Sequence, residues 1–146
     1  MAFIIAPTAD YTSFIDLTYA GTIQSNLGRE AWEAASTADQ QVACMRATAY
    51  ISYGYTFGTD PVIDGQVNAS VKVATAMLAY IALTEDLFAF DTAKEVIEQE
   101  DELTGVGKSR TKWRVGRTDR FPQITSILSS IAAPHSSGVV ISTQVR

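Results

Sequence analysis

The stretch that decides the fold runs from Asn68 to Leu83 and reads NASVKVATAMLAYIAL. If it is helical, apolar side chains occupy nearly every side of the helix, including those at positions 71, 74, 78, 81 and 82. A helix that is apolar all round is normally buried in a core. The sequence therefore predicts a mainly α protein whose other helices pack around this one.

A short helix, a single helical turn and a longer helix are predicted before it. Asp16 suits an N-cap because apolar residues follow at helical spacing over about residues 17–26, and Gly28 suits the position just after that helix. The segment 29–32 is expected to form one helical turn that places Trp32 on the core. Ser36 and Asp39 then resemble a capping box that opens a helix of about 17 residues. Its core-facing stripe is predicted to contain Val42, Met45, Ala49 and Tyr53, widened by Ala43, Ala47 and Tyr50.

The rest of the body carries weaker signals. Glycines and a proline between residues 54 and 65 indicate a loop. The segment 84–86 is expected to cap a short helical piece that extends through Phe90. Pro122 suits a first helical position, and Pro134 is expected to end that last helix. Its apolar stripe is Ile124, Ile127, Leu128 and Ile131.

The formal net charge of −5 hides an asymmetry along the chain. Residues 1–104 carry 15 acidic and four basic side chains, whereas residues 105–146 carry seven basic side chains and Asp119 as their one acid. Such a division of charge predicts a charged interaction surface. It does not by itself indicate the partner.

Acidic residues within 98–102 and basic residues within 108–114 occupy every second position. Glutamates alternate at residues 98, 100 and 102, and cations alternate at 108, 110, 112 and 114. A reversal near Gly105 pairs Glu98 with Lys112, Glu100 with Arg110 and Glu102 with Lys108, and on the other face it pairs Ile97 with Trp113 and Gln99 with Thr111. We therefore predict a projecting β-hairpin arm over about residues 95–116. A helix over residues 91–103 is the alternative, because this segment is rich in good helix formers.

The predicted domain boundaries follow from these helices and from the hairpin. We predict a single helical domain over residues 1–134 that includes the arm, followed by an extended, flexible C-terminal docking tail over residues 135–146. The tail is uncharged until its last residue, and we expect it to become ordered on binding, by strand addition to a partner. Its expected contact residues are Val139, Val140, Ile141, Val145 and Arg146.

Several kinds of chemistry are poorly supported. Cys44 and His135 are the one cysteine and the one histidine, too few for an intrachain disulfide or a Cys/His zinc site. Residues 105–109 imitate the end of a Walker A loop, but Glu102 stands where its first glycine belongs. We expect no catalytic residue, cofactor or metal. The amino terminus lacks signal-peptide features and no apolar run is long enough to span a bilayer, so a soluble cytoplasmic protein is expected.

Single-strand nucleic-acid binding is the alternative function. Six cations between Lys108 and Arg120 surround Trp113, which offers a ring on which a base can stack. The glutamates of the same arm would neutralise half of these cations. The acidic body also argues against a dedicated nucleic-acid-binding module.

Several stretches resemble a known family, the head-tail adaptor proteins of tailed bacteriophages, also called head completion or connector proteins. Residues 11–20 (YTSFIDLTYA), 27–32 (LGREAW), 34–39 (AASTAD) and 43–50 (ACMRATAY) are similar to the amino-terminal half of that family. Its alanine-rich central helix resembles residues 67–83, and its closing helix resembles residues 120–128 (RFPQITSIL). Some relatives are described as DnaT-like single-strand-DNA-binding proteins. The chain departs from the family after Tyr53, where residues 58–61 (GTDP) replace a frequent Trp-Pro element.

The resemblance implies a structural protein without enzymatic activity. Such subunits form a ring, a dodecamer when assembled, that binds the portal protein, extends the DNA channel and offers a docking surface to tail or stopper proteins. Genomic DNA would pass through without sequence-specific binding, and no membrane would be involved. The expected location is the virion neck, after assembly in the bacterial host cytoplasm. The arm residues expected to contact a neighbouring subunit or the portal are Glu98, Glu100, Glu102, Lys108, Arg110, Lys112, Trp113 and Arg114.

Overall fold

The computed structural model describes the backbone of residues 1–89, 94–102, 108–115, 119–135 and 139–145, and the side chains of residues 1–89 and 119–135. The elements in chain order are α1 (Leu17–Asn26), α2 (Glu30–Ala34), α3 (Thr37–Gly54), β1 (Tyr55–Phe57), β2 (Val62–Ile63), β3 (Gln66–Val67), α4 (Ala69–Ala82), β4 (Lys94–Glu102), β5 (Lys108–Val115), α5 (Pro122–Leu128), β6 (Ala132–Pro134) and β7 (Val139–Val145). The predicted mainly α fold with a β-hairpin is confirmed.

The described chain divides into two compact units. The helical body comprises Met1–Ala89 and Phe121–His135. The second unit contains the strands β4, β5 and β7, which form one antiparallel sheet. In the sequence-based prediction, the arm belongs to the same domain as the body, and the tail is separate from both. The structure groups arm and tail because the strand of the tail is hydrogen-bonded to a strand of the arm.

The first two helices form as predicted. The Asp16 carboxylate accepts a hydrogen bond from the Tyr19 backbone N–H at 2.6 Å, which caps one of the unpaired donors at the start of α1. Gly28 follows the helix with a φ of +67°, a left-handed conformation that glycine adopts at little cost. The next turn is α2, and its Trp32 is almost completely buried.

Helix α3 begins at its predicted cap but buries a different face. The Ser36 hydroxyl accepts from the Asp39 N–H at 3.1 Å and donates to the Asp39 carboxylate at 2.6 Å. The predicted stripe is wrong: Tyr53 is 74% exposed and Val42 lies 39% exposed. Of the residues predicted to widen the stripe, Ala43 and Ala47 are buried, together with Cys44, Thr48 and Ile51. Most of these side chains are small, so this face allows α3 to approach α4 closely.

Helix α4 is the centre of the body, as predicted. The Asn68 side chain caps it by accepting from the Ser70 N–H at 2.9 Å. Helices α1, α3 and α5 all pack against it. Its buried residues are Val71, Ala74, Thr75, Ala76, Leu78, Ala79 and Ala82.

The segment predicted as a loop contains a small hairpin. Strands β2 and β3 pair Val62 with Val67 and Ile63 with Gln66. Asp64 and Gly65 connect them with φ values of +51° and +71°. Positive φ at both central residues is the type I′ geometry that favours Asp-Gly in two-residue hairpins. The loop prediction overlooked this signal because the strands are only two residues long.

Two predictions near the chain's return to the body need correction. Residues 84–89 form turns instead of a helix, because the Asp86 carboxylate accepts from the Phe88 N–H at 2.9 Å and competes with helical hydrogen bonds. Phe90 lies outside the described residues. Helix α5 starts at Pro122 as predicted but ends at Leu128, so Ile131 lies beyond it. Strand β6 follows and pairs with β1.

A substitution at Ala47 tests the close approach of α3 and α4. Ala47 is fully buried, and Ala47→Leu adds three carbon atoms to a packed interface. We expect the free energy of unfolding to fall by about 1–3 kcal/mol in a urea titration followed by circular dichroism. Ala38→Leu, at an exposed position of the same helix, is the matched control and should change it by less than about 0.5 kcal/mol. Equal effects of the two substitutions would contradict this packing.

Candidate interaction surfaces

The first candidate surface is the three-stranded sheet of the second unit, in the order β4-β5-β7. Strands β4 and β5 are antiparallel, so the hairpin, and not the alternative helix, is confirmed. The three predicted charge pairs, together with Gln99 opposite Thr111, are present in the register. Those charge pairs are Glu98 with Lys112, Glu100 with Arg110 and Glu102 with Lys108.

One predicted pair of the hairpin is wrong. Trp113 lies opposite Val96 and not opposite Ile97, because the register shifts between Val96 and Glu98. The additional residue on β4 places Glu95 opposite Arg114. The bulge therefore adds a fourth pair of opposite charge, and such pairs stabilise a register by about 0.2–1 kcal/mol each.

The tail contributes the third strand. β7 pairs with β5 over seven residues, with Ile141 opposite Trp113 and Val145 opposite Ser109. Val139 and Val140 lie opposite Val115 and Arg114, while Arg146 is outside the described residues. The tail was expected to pair with a strand of a partner, but it pairs with β5 of the same chain. This pairing was not foreseen because strand pairing between distant segments leaves no local pattern.

Register positions divide the sheet into two dissimilar faces. Because successive residues of a strand belong to opposite faces, the four cations of β5 share a face with the glutamates opposite them. The positions of Val96, Trp113 and Ile141 form a row across the other face. Val115 and Val139 extend this apolar region. The sheet is therefore amphipathic in sequence, with one charged and one partly apolar face.

The second candidate surface is a cleft in the helical body, with a volume of about 390 Å³. Asp39 and Arg46 lie seven residues apart along α3 and both line it. Within the described body, Arg46 has no hydrogen-bond or ion-pair partner. Sequence reasoning missed the cleft, because alanines give no distinct signal for a cavity wall. The other lining residues are Ala31, Ala34, Ala35, Val42, Ala43, Tyr80, Ala82, Leu83 and Thr84.

A polar network holds one wall of this cleft. Gln24 is fully buried, and its Nε2 donates to the Ala76 carbonyl of α4 at 2.6 Å. The Arg29 guanidinium donates to Gln24 Oε1 at 3.2 Å and lies 4.5 Å from the centre of the Tyr80 ring. These contacts connect α1 to α4 and fix the position of Tyr80. The network holds the Tyr80 side chain in place at the wall of the cleft. It contains no nucleophile paired with a base.

A third surface feature is an aromatic cluster on the body. Tyr50 makes edge-to-face contacts with Phe88, at 5.8 Å between ring centres, and with Phe121, at 5.5 Å. Phe88 is 40% exposed, and Tyr53 is exposed one turn further along α3. Exposed aromatic residues are enriched at protein interfaces. The cluster lies beside the points where the chain leaves and re-enters the body.

The single thiol and the single histidine have opposite environments in the described body, since one is buried and the other is exposed. Cys44 is fully buried, and this burial, reinforced by the Asp16 carboxylate, raises the pKa of its thiol to about 12. The backbone N–H of His135 donates to the Gly54 carbonyl at 2.9 Å, while the residue itself is exposed. Among the described residues no cluster of three or more His, Cys, Asp or Glu can hold a metal ion. The helices of that part of the chain include none that is long and apolar enough to cross a bilayer.

Comparisons with known proteins add no further constraint. The chain matches no protein-family model, no curated protein and no solved structure.

Loss of the Gln24 side chain tests the polar network. Gln24→Ala removes one buried and one partly buried hydrogen bond and leaves a cavity between α1 and α4, so the free energy of unfolding should fall by about 2–4 kcal/mol in urea titrations. Ser25→Ala, at the next and exposed position, is the control and should change little. A Gln24→Ala protein as stable as the control would contradict a structural role for the network.

The raised pKa of Cys44 predicts a pH dependence of stability. The Cys44 thiol has a pKa of about 8.5 in the unfolded chain. The contribution of the buried, protonated thiol to the free energy of unfolding is therefore fully present below that pH. It should decline by about 1.4 kcal/mol for each pH unit from pH 9 upward, until the pH reaches the folded pKa. Urea titrations at pH 7.5, 9 and 10 should show this decline in the native protein. Cys44→Ala should lack this part of the slope, and identical pH profiles would disprove the effect.

Proposed function

We propose that this protein is a structural head-tail adaptor of a tailed bacteriophage. The subunits would form a ring that binds the portal protein, extends the DNA channel and presents a docking surface for tail or stopper proteins. The proposal draws on the resemblance of residues 11–131 to that family. It requires no catalytic chemistry, and it locates the assembled protein in the virion neck.

The observation that carries the proposal is the three-stranded sheet, whose register divides it into a charged face and a partly apolar face. A sheet of three strands alone buries little apolar surface. The row of Val96, Trp113 and Ile141 across one face would therefore gain from burial against another molecule. We assign this contact to a neighbouring subunit or to the portal.

The charged face suits the same assignment. Each cation of β5 lies opposite a carboxylate of β4 within the hairpin, so this face carries a row of positive positions next to a row of negative positions. Such a charge pattern specifies orientation and register at an interface more than it provides raw affinity. A subunit that must be placed in one orientation around a ring benefits from such specificity.

The register argues against the alternative, single-strand nucleic-acid binding. Lys108, Arg110, Lys112 and Arg114 each face a glutamate across the hairpin, which reduces the positive potential that a phosphate backbone requires. Trp113 occupies the central strand, between Val96 and Ile141. No observation in the described residues favours this function over the adaptor.

A charge-exchange experiment tests the adaptor proposal. The chain is co-expressed with the portal protein of the same phage genome, and retention on immobilised portal rings is measured. Arg110→Glu sets two acids opposite each other in the hairpin, whereas the double variant Glu100→Arg with Arg110→Glu restores an opposite-charge pair in inverted order. We expect the double variant to regain stability but to remain at least about fivefold weaker in portal retention, since the partner meets inverted charges.

Ser129→Glu, at an exposed position of the helical body outside the three candidate surfaces, is the charge control and should be retained on the portal rings like the native protein. Absence of portal binding by the native chain would refute the proposal. A titration with a fluorescent oligonucleotide at two salt concentrations tests the alternative. Strong, salt-sensitive binding that is lost in Trp113→Ala would favour the nucleic-acid function instead.

A further inference from the structure

The three-stranded sheet has two outer strands, β4 and β7, and they differ in how they are protected. The outer edge of such a strand carries backbone N–H and C=O groups that another strand can pair with. Proteins that remain monomeric commonly protect edges with charges, prolines or bulges. Comparing the two edges therefore indicates which one is available to a partner.

The β4 edge carries strong protection against pairing with itself. Residues 94–102 contain five acidic side chains and one bulge. An antiparallel pair of two β4 strands centred on Glu98 would place Glu98 opposite its own copy and Glu95 opposite Asp101. Like charges directly opposite each other destabilise a pair of strands.

The β7 edge carries no such protection. Residues 139–145 (VVISTQV) contain no charge, proline or glycine, and five of the seven are β-branched. β-Branched residues favour strands, and uncharged β-rich segments of this length pair readily with copies of themselves. β7 uses one of its edges for β5, which leaves the other edge outermost in the sheet.

We propose that the outer edge of β7 binds β7 of a second copy of this chain, antiparallel and with a two-fold axis at Ser142. This register pairs all seven residues. Val139 meets Val145, Val140 meets Gln144, Ile141 meets Thr143, and Ser142 meets its own copy. No like charges meet in it, so β7 is self-complementary where β4 is self-repelling.

The resulting sheet has six strands and retains its two faces. Positions 139, 141, 143 and 145 lie on the face that carries the row with Trp113, and in the pair they meet positions of the same set. The partly apolar face therefore continues from one copy to the other. Burial along this continuous face adds to the hydrogen bonds of the paired edge.

This contact goes beyond the proposed adaptor function and is separate from ring formation. A two-fold contact is satisfied after two copies, whereas a ring needs a contact that each subunit passes on to the next. The paired form is therefore the state of the protein before it joins a ring. In that state the contact covers a strand edge through which the chains would otherwise aggregate. A contact over one seven-residue strand is small, so the association should depend on concentration.

The test uses charges at the two-fold axis. Sedimentation equilibrium of the full chain at low salt should show a reversible monomer–dimer equilibrium. Ser142→Lys and Ser142→Glu each place like charges opposite each other, and each should weaken the association at least about fivefold. An equimolar mixture of the two variants should restore association, because Lys now meets Glu.

Restoration in the mixture shows that both variants still fold, so a folding defect cannot imitate the result. Ser129→Lys, at an exposed position of the helical body, is the charge control and should associate like the native chain. The proposal is overturned if the native chain remains monomeric over the full concentration range. It is equally overturned if either Ser142 variant associates like the native chain, or if mixing does not restore association.

Discussion

The helical body depends on the burial of α4, which requires its neighbours to approach closely. Small side chains make this possible: alanine, cysteine and threonine form most of the α3 face, and alanine recurs along α4. The remaining polar groups at this centre are satisfied internally. The Thr48 hydroxyl accepts from the Phe14 N–H at 3.0 Å, and Thr75 donates to the Val71 carbonyl at 2.7 Å. Close packing and complete hydrogen bonding together position the cleft and the aromatic cluster on the surface of the body.

The parts of the fold with strong local signals were predictable from sequence. Two N-caps, at Asp16 and Ser36, identified α1 and α3 close to their observed bounds. The apolar composition of α4 did the same for that helix. The alternating charges identified the hairpin and three of its four charge pairs. The centre of the α3 face was misplaced because Val42 and Tyr53 were expected inside, whereas close helix packing favours small side chains such as those of Ala43 and Ala47. The body's cleft, and the placement of β7 beside β5, depend on contacts between distant segments, which a periodicity does not encode.

The charge asymmetry of the sequence acquires a different meaning in the folded chain. The acidic and basic runs are two strands of one hairpin, so much of the contrast is balanced between neighbouring positions. What distinguishes the sheet is then the pattern along its edges. One edge is densely acidic and the other is neutral, so the same small unit combines a surface that repels its copies with one that accepts them.

The pairing of β6 with β1 has a consequence for the order in which the body can fold during synthesis. Tyr55 lies opposite Pro134, and the Tyr55 hydroxyl bonds the Thr125 hydroxyl at 2.9 Å across 70 positions of sequence. Ile124 and Leu128, also in this late segment, are almost fully buried. A nascent chain that has emerged only as far as α4 therefore still exposes part of its core. The body therefore completes its core only after residues 121–135 have been synthesised, which comes after both strands of the hairpin, β4 and β5.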